Sequence, residues 1–114
     1  MVAPHAKLPI YKVTYDLLKL VAAFVRNMPR DFKSDLGTEL RKECVAVVLL
    51  IYRANSADDK VPHLQKILER LEVVQITLRL CQDLKLISQP QYAQAVEHTN
   101  SIGKQANGWK KHYE

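Results

Sequence analysis

The sequence is poor in the residues that punctuate or specialise a fold. Three glycines and five prolines in 114 residues leave no low-complexity segment. No Gly-rich phosphate loop, nucleophile elbow or Cys-x-x-Cys pair occurs. The longest apolar run, residues 44–52, is nine residues, whereas a membrane span needs about 20. The opening Met-Val-Ala-Pro-His-Ala-Lys has no signal-peptide core, so a soluble, cytoplasmic protein is expected. Cys44 and Cys81, the only two cysteines, each lie in apolar helical text, where a thiol behaves as a small hydrophobe. Core packing explains them better than a disulfide or a metal pair. Metal sites in helical bundles usually use Glu-x-x-His, and no Glu here is followed three residues later by His. His5, His63, His98 and His112 are scattered, and Asp58-Asp59 reads as turn and cap rather than as a catalytic pair. No cofactor, no metal and no catalytic residue is expected, and an enzyme is disfavoured.

What is present is the composition of a globular protein: 47% apolar and 25% charged residues. A chain of this length predicts a single domain over residues 1–114, held by a margin of roughly 5–15 kcal/mol, so that surface buried against a partner matters. The periodicity predicts four helices. Ile10, Val13, Leu17, Val21, Phe24 and Met28 recur at three-four spacing, which gives a first helix over about 8–28 that Pro29 closes. Asp35 or Thr38 is placed to cap a second helix over about 38–55, with Gly37 softening its start. The β-branched run at 44–52 also fits a buried strand. Its continuous feed from Thr38 with no Gly or Pro break makes it too long for one and favours helix. Asp59 is placed to cap a third helix over about 60–87, with Pro62 in its first turn. Ser88 and Gln91 form a capping-box pattern for a fourth over about 89–111, whose apolar side carries Tyr92, Ala95, Val96, Thr99, Ile102, Gly103, Ala106 and Trp109. Short connectors make an antiparallel up-down-up-down four-helix bundle the simplest all-α packing.

The third helix has more apolar surface than one bundle hides. On a 100° wheel, Leu64, Ile67, Leu71, Val74, Leu78 and Cys81 form one stripe, and Val73, Ile76, Leu80, Leu84 and Ile87 form a second well away from it. The second stripe predicts an interface with another copy of the chain. The competing reading is a wide core face in a slightly irregular monomer.

The net charge of +5 is concentrated at the N-terminal end, where residues 1–33 hold six Lys or Arg against two Asp. Lys12, Lys19 and Arg26 are seven residues apart and line one side of the first helix about every 10 Å, followed by Arg30 and Lys33. Such a row suits a polyphosphate backbone, with affinity that falls as salt rises. A merely solvated face is the alternative. Arg79 stands in a narrow polar strip with Glu72, Gln75, Gln82 and Asp83, beside both apolar stripes. It reads either as a partner of Glu72 or Asp83 or as a cation that oligomer symmetry would concentrate for an acidic RNA or protein.

The order Met28-Pro29-Arg30, a basic connector to Gly37, a long apolar helix, Leu78-Arg79-Leu80, then Ile102-Gly103 and Gly108-Trp109 resembles the accessory variability determinants (Avd) of bacterial diversity-generating retroelements. The similarity covers nearly the whole chain. A related branch, the four-helix proteins of ribosomal RNA intervening sequences, typically carries a Ser-Ile-Pro-Ser-Asn-Ile-Ala-Glu-Gly-like stretch where this chain has residues 44–52, so the retroelement branch is closer. The resemblance implies a homopentameric barrel of four-helix protomers that binds the retroelement reverse transcriptase and its template RNA, or DNA, in support of mutagenic cDNA synthesis. It implies that Arg79, in the family's Leu-Arg pair, contacts a partner, and that Trp109 packs. Lys12, Lys19, Arg26 and Arg30 rest on periodicity alone. A helical protein-protein adaptor, or an intervening-sequence-type protein with no retroelement role, is the competing expectation.

Overall fold

The computed structural model describes residues 7–114; the reading of the N-terminal stretch and of His5 falls largely or wholly outside the described residues. Among the described residues the protein is all-helical, with four long helices and no strand. Helix α1 spans Pro9–Arg26, a single turn α2 spans Arg30–Phe32, a π-helical turn spans Lys33–Gly37, and α3 (Thr38–Ser56), α4 (Val61–Asp83) and α5 (Gln89–Tyr113) follow. Residues 44–52 are helical, within α3.

The boundaries follow local chemistry, not always the chemistry expected. Pro9 opens α1 at its first position, where a missing N–H costs nothing. The helix ends at Arg26 rather than at 28, because the Asn27 and Met28 amides fold back onto the carbonyls of Phe24 and Val25 and Pro29 has no amide to continue. The connector expected between the first two helices is itself helical. Neither Asp35 nor Thr38 caps α3; the Thr38 hydroxyl donates to the Lys33 carbonyl at 3.1 Å, inside the π turn. Gly37 is required there for space. A Cβ on it would stand 2.8 Å from Cγ1 of Val25.

Asp59 does not cap α4 either, since the N-cap position is Lys60 and receives no side-chain bond. The Ser88–Gln91 capping box at α5 forms as the pattern predicts, with both reciprocal bonds made, at 3.2 and 2.8 Å. Helix α4 stops at Asp83, short of residue 87. Lys85 takes a left-handed φ of 61°, and the amides of Lys85 and Leu86 return to the carbonyls of Gln82 and Cys81, a Schellman closure.

Each long helix sends one stripe inward: α1 packs on α3 and α5, and α4 packs on the same two. Leu17, Val21, Leu40, Ile51, Leu64, Ile67, Leu78 and Ile102 are sealed at the centre, each worth about 1.5–3 kcal/mol of apolar burial. Cys44 and Cys81 are buried free thiols in this core. Burial, with a smaller contribution from the Glu43 charge, pushes the Cys44 thiol up to about 12. The buried Thr14 hydroxyl donates to the Ile10 carbonyl at 2.8 Å, and no buried side-chain N or O among the described residues is left without a partner.

Candidate partner-binding surfaces

The outer side of α3 and α4 is apolar. On α4, Val73, Ile76 and Leu80 are exposed, Ile76 by 69% of its surface, and so is Leu84 at the helix C-cap. Their spacing of three, four and four keeps them on one side of the helix, opposite the core stripe. Ile87 does not join them. Once the chain turns at Lys85, Ile87 is directed inward and is 5% exposed, part of the protomer's own core. Sequence reasoning also missed the matching residues of α3, where Val45, Leu49 and Tyr52 are exposed at a spacing of four and three. The signal was present, but residues 44–52 are apolar throughout, so periodicity there marks no outer side.

The two exposed stripes meet in a groove between α3 and α4, of about 480 Å³, with Ala46, Leu49, Leu50 and Val73 in its walls and Arg53, Lys66, Glu69 and Arg70 at its polar margin. Arg70 bridges the helices to Glu43 at 3.0 Å. Arg79 is exposed on α4 and makes no ion pair with Glu72, Asp83 or any other described residue. It lies three residues from Ile76 and one from Leu80, so its cation borders the apolar face.

The cationic row runs along the outside of α1 and on into α2 and the π-helical turn. Lys12, Lys19, Arg26, Arg30 and Lys33 are all exposed. Lys12 and Lys19 share one counterion: their ammoniums lie 3.2 and 3.6 Å from the two carboxylate oxygens of Asp16. The hydrogen bond from Lys12, helped by the charge of Lys19, holds the Asp16 carboxyl below its usual value. Periodicity did not anticipate the aromatic pair that accompanies the row. Tyr11 and Tyr15 stack with ring centres 6.1 Å apart, and the Lys19 ammonium sits 5.5 Å over the Tyr15 ring. Among the described residues no group of three or more His, Cys, Asp or Glu is placed to hold a metal ion, and no helix is long and apolar enough to cross a membrane.

An all-helical protein that displays an apolar face on one pair of helices and a cationic row on another has the surface of an interaction protein. Comparison with known families makes the assignment specific. A family model described as bAvd-like matches residues 8–113, and the chain belongs to that family. It is a family of accessory, non-catalytic proteins, and membership points to an accessory role in diversity-generating retroelements and to association with a retroelement reverse transcriptase. No curated protein matches the chain.

Proposed function

We propose that this protein is a non-catalytic accessory subunit of a bacterial diversity-generating retroelement. It works in the cytoplasm as a homo-oligomer of antiparallel four-helix protomers, each a single domain, and the pentamer implied by the family resemblance is the expected assembly. It binds the retroelement reverse transcriptase and RNA or DNA through Arg79 and the row Lys12, Lys19, Arg26 and Arg30, and so supports mutagenic cDNA synthesis. The observation that carries the reading, beside the family match, is the exposed apolar face of α3 and α4. Six large apolar residues open to water on two adjacent helices, with Leu84 at the C-cap of α4, form a patch of the kind a partner covers. Short connectors at residues 57–60 and 84–88 support the antiparallel arrangement.

Light scattering at micromolar concentration tests the assembly: a mass near five times the 13.1 kDa protomer is expected, and a stable lone protomer overturns it. For the partner, Arg79→Ala is expected to leave the helical signal and melting temperature intact while weakening capture of a retroelement reverse transcriptase. Capture unchanged at physiological salt removes Arg79 from the contact.

A further inference from the structure

We infer that the outer face of α1 and its groove against α5 form a binding site for unpaired nucleic acid, in which the Tyr15 ring stacks on a base and Lys12 and Lys19 hold the flanking phosphates. The inference rests on the nucleic-acid reading above and narrows it from polyphosphate in general to a single strand. Three observations converge on it. The first is the platform: Tyr15 is 47% exposed, its ring is held by the stacked Tyr11, and a lysine already lies over it. An exposed ring braced in this way offers a π-face to any base, the device by which proteins hold single strands without reading sequence.

The second is the charge. Lys12 and Lys19 have side chains 75% and 65% exposed, and the Asp16 carboxylate is the one anion they share. Exchanging that exposed contact for a phosphate costs little, because an ion pair open to water on both sides adds little to stability. Swinging Lys19 to a phosphate also uncovers the ring. The third is the groove that begins beside these residues, about 440 Å³ in volume, bounded by Asp16, Lys19, Leu20 and Ala23 of α1 and by Gln94 and His98 of α5. Its α5 wall presents an amide and an imidazole and no carboxylate, groups that hydrogen-bond to base edges and sugar hydroxyls. A paired base has both ring faces covered by its neighbours, so this combination favours an unpaired one.

The test titrates the full-length protein into a labelled RNA single strand of about 12 nucleotides, within the ~4–16-nucleotide footprint of such sites, and into the corresponding duplex, at about 0.15 M salt. The single strand is expected to bind more tightly. Tyr15→Ala is expected to weaken single-strand binding about ten-fold with duplex binding and melting temperature unchanged, while Tyr15→Phe behaves as the parent. Equal loss on both probes, or no loss on either, overturns the stacking site and leaves the cationic row as the nucleic-acid surface. Absence of binding to either probe, with retention of the protein on a poly-glutamate peptide, overturns both this inference and the nucleic-acid reading beneath it.

Discussion

Lys60 reaches back across the turn that precedes its own helix and places its ammonium 3.0 Å from the carbonyl oxygen of Ala54, near the end of α3. The same nitrogen donates to the carbonyls of Asn55 and Ala57, at 2.9 and 3.0 Å. Three of the carbonyls at and just beyond a helix C-terminus are thus met by one partly buried cation, which the helix dipole also favours. Lys60→Met removes the cation while keeping the aliphatic stem, and should cost about 1.5–3 kcal/mol, the scale of a hydrogen bond to a charged group. Chemical denaturation reads it. Asp59→Ala should stay within about 0.5 kcal/mol, as expected of a surface position away from such features, whereas an N-cap would lose about 1 kcal/mol.

Gly37 sets two effects of opposite sign against each other. Its φ of −62° is helical, so alanine there gains about 0.5–1 kcal/mol of backbone entropy. Against that, the new methyl meets Val25 Cγ1 at 2.8 Å. The branched Val25 side chain is stiff and buried, and overpacking a full core typically costs about 1–3 kcal/mol. The clash should win, and Gly37→Ala should lower stability by about 1 kcal/mol. Pairing it with Val25→Ala should make the two costs less than additive, the sign of a shared contact.

Lys85 sits at the C′ position of α4 with a positive φ, where a Cβ is strained and glycine is not. Lys85→Gly should raise stability by about 1 kcal/mol in a urea melt. This position also shows where the sequence was hard to read. Helices end visibly at Pro29 and begin visibly at Ser88, because proline and a capping box act through local chemistry. The end of α4 carries neither Gly nor Pro, and Leu84, Leu86 and Ile87 continue an apolar text that looks helical, so its stop at Asp83 depends on tertiary packing that draws Ile87 inward. The α5 stripe was fully legible: Ala95, Thr99, Ile102 and Ala106 are buried and Tyr92, Val96, Gly103 and Trp109 flank them. Surfaces were legible only in part, since a row of lysines is visible in the text while the counterion they share and the ring one of them covers are not.

The Cys44 thiol should be inert in the folded protein. With its pKa near 12, its thiolate is scarce at neutral pH, and the core excludes reagent. Labelling by a thiol reagent at pH 8 should therefore proceed only after denaturant unfolds the chain. The linkage has a sign as well. The folded pKa lies above the ordinary 9.0, so the thiol's contribution to stability is whole below pH 9 and is lost as pH rises through about 12. Prompt labelling of the native protein at Cys44 contradicts this placement.

The sharpest test of the apolar face uses its most exposed member. Ile76 is 69% open, so a charge there disturbs little within one protomer and should leave the melt within about 0.5 kcal/mol of the parent if copies do not meet. If α4 packs against another copy, Ile76→Glu buries an unpaired carboxylate at the contact, a cost of several kcal/mol for each subunit. The mass in solution should then collapse to the 13.1 kDa protomer while helical content is kept. Ile87→Glu provides the contrast, because Ile87 lies in the protomer's own core and the same charge there should unfold the chain. A protein in which Ile76→Glu leaves the mass unchanged has its subunit contacts elsewhere, and the exposed stripe of α4 is then free for a different protein.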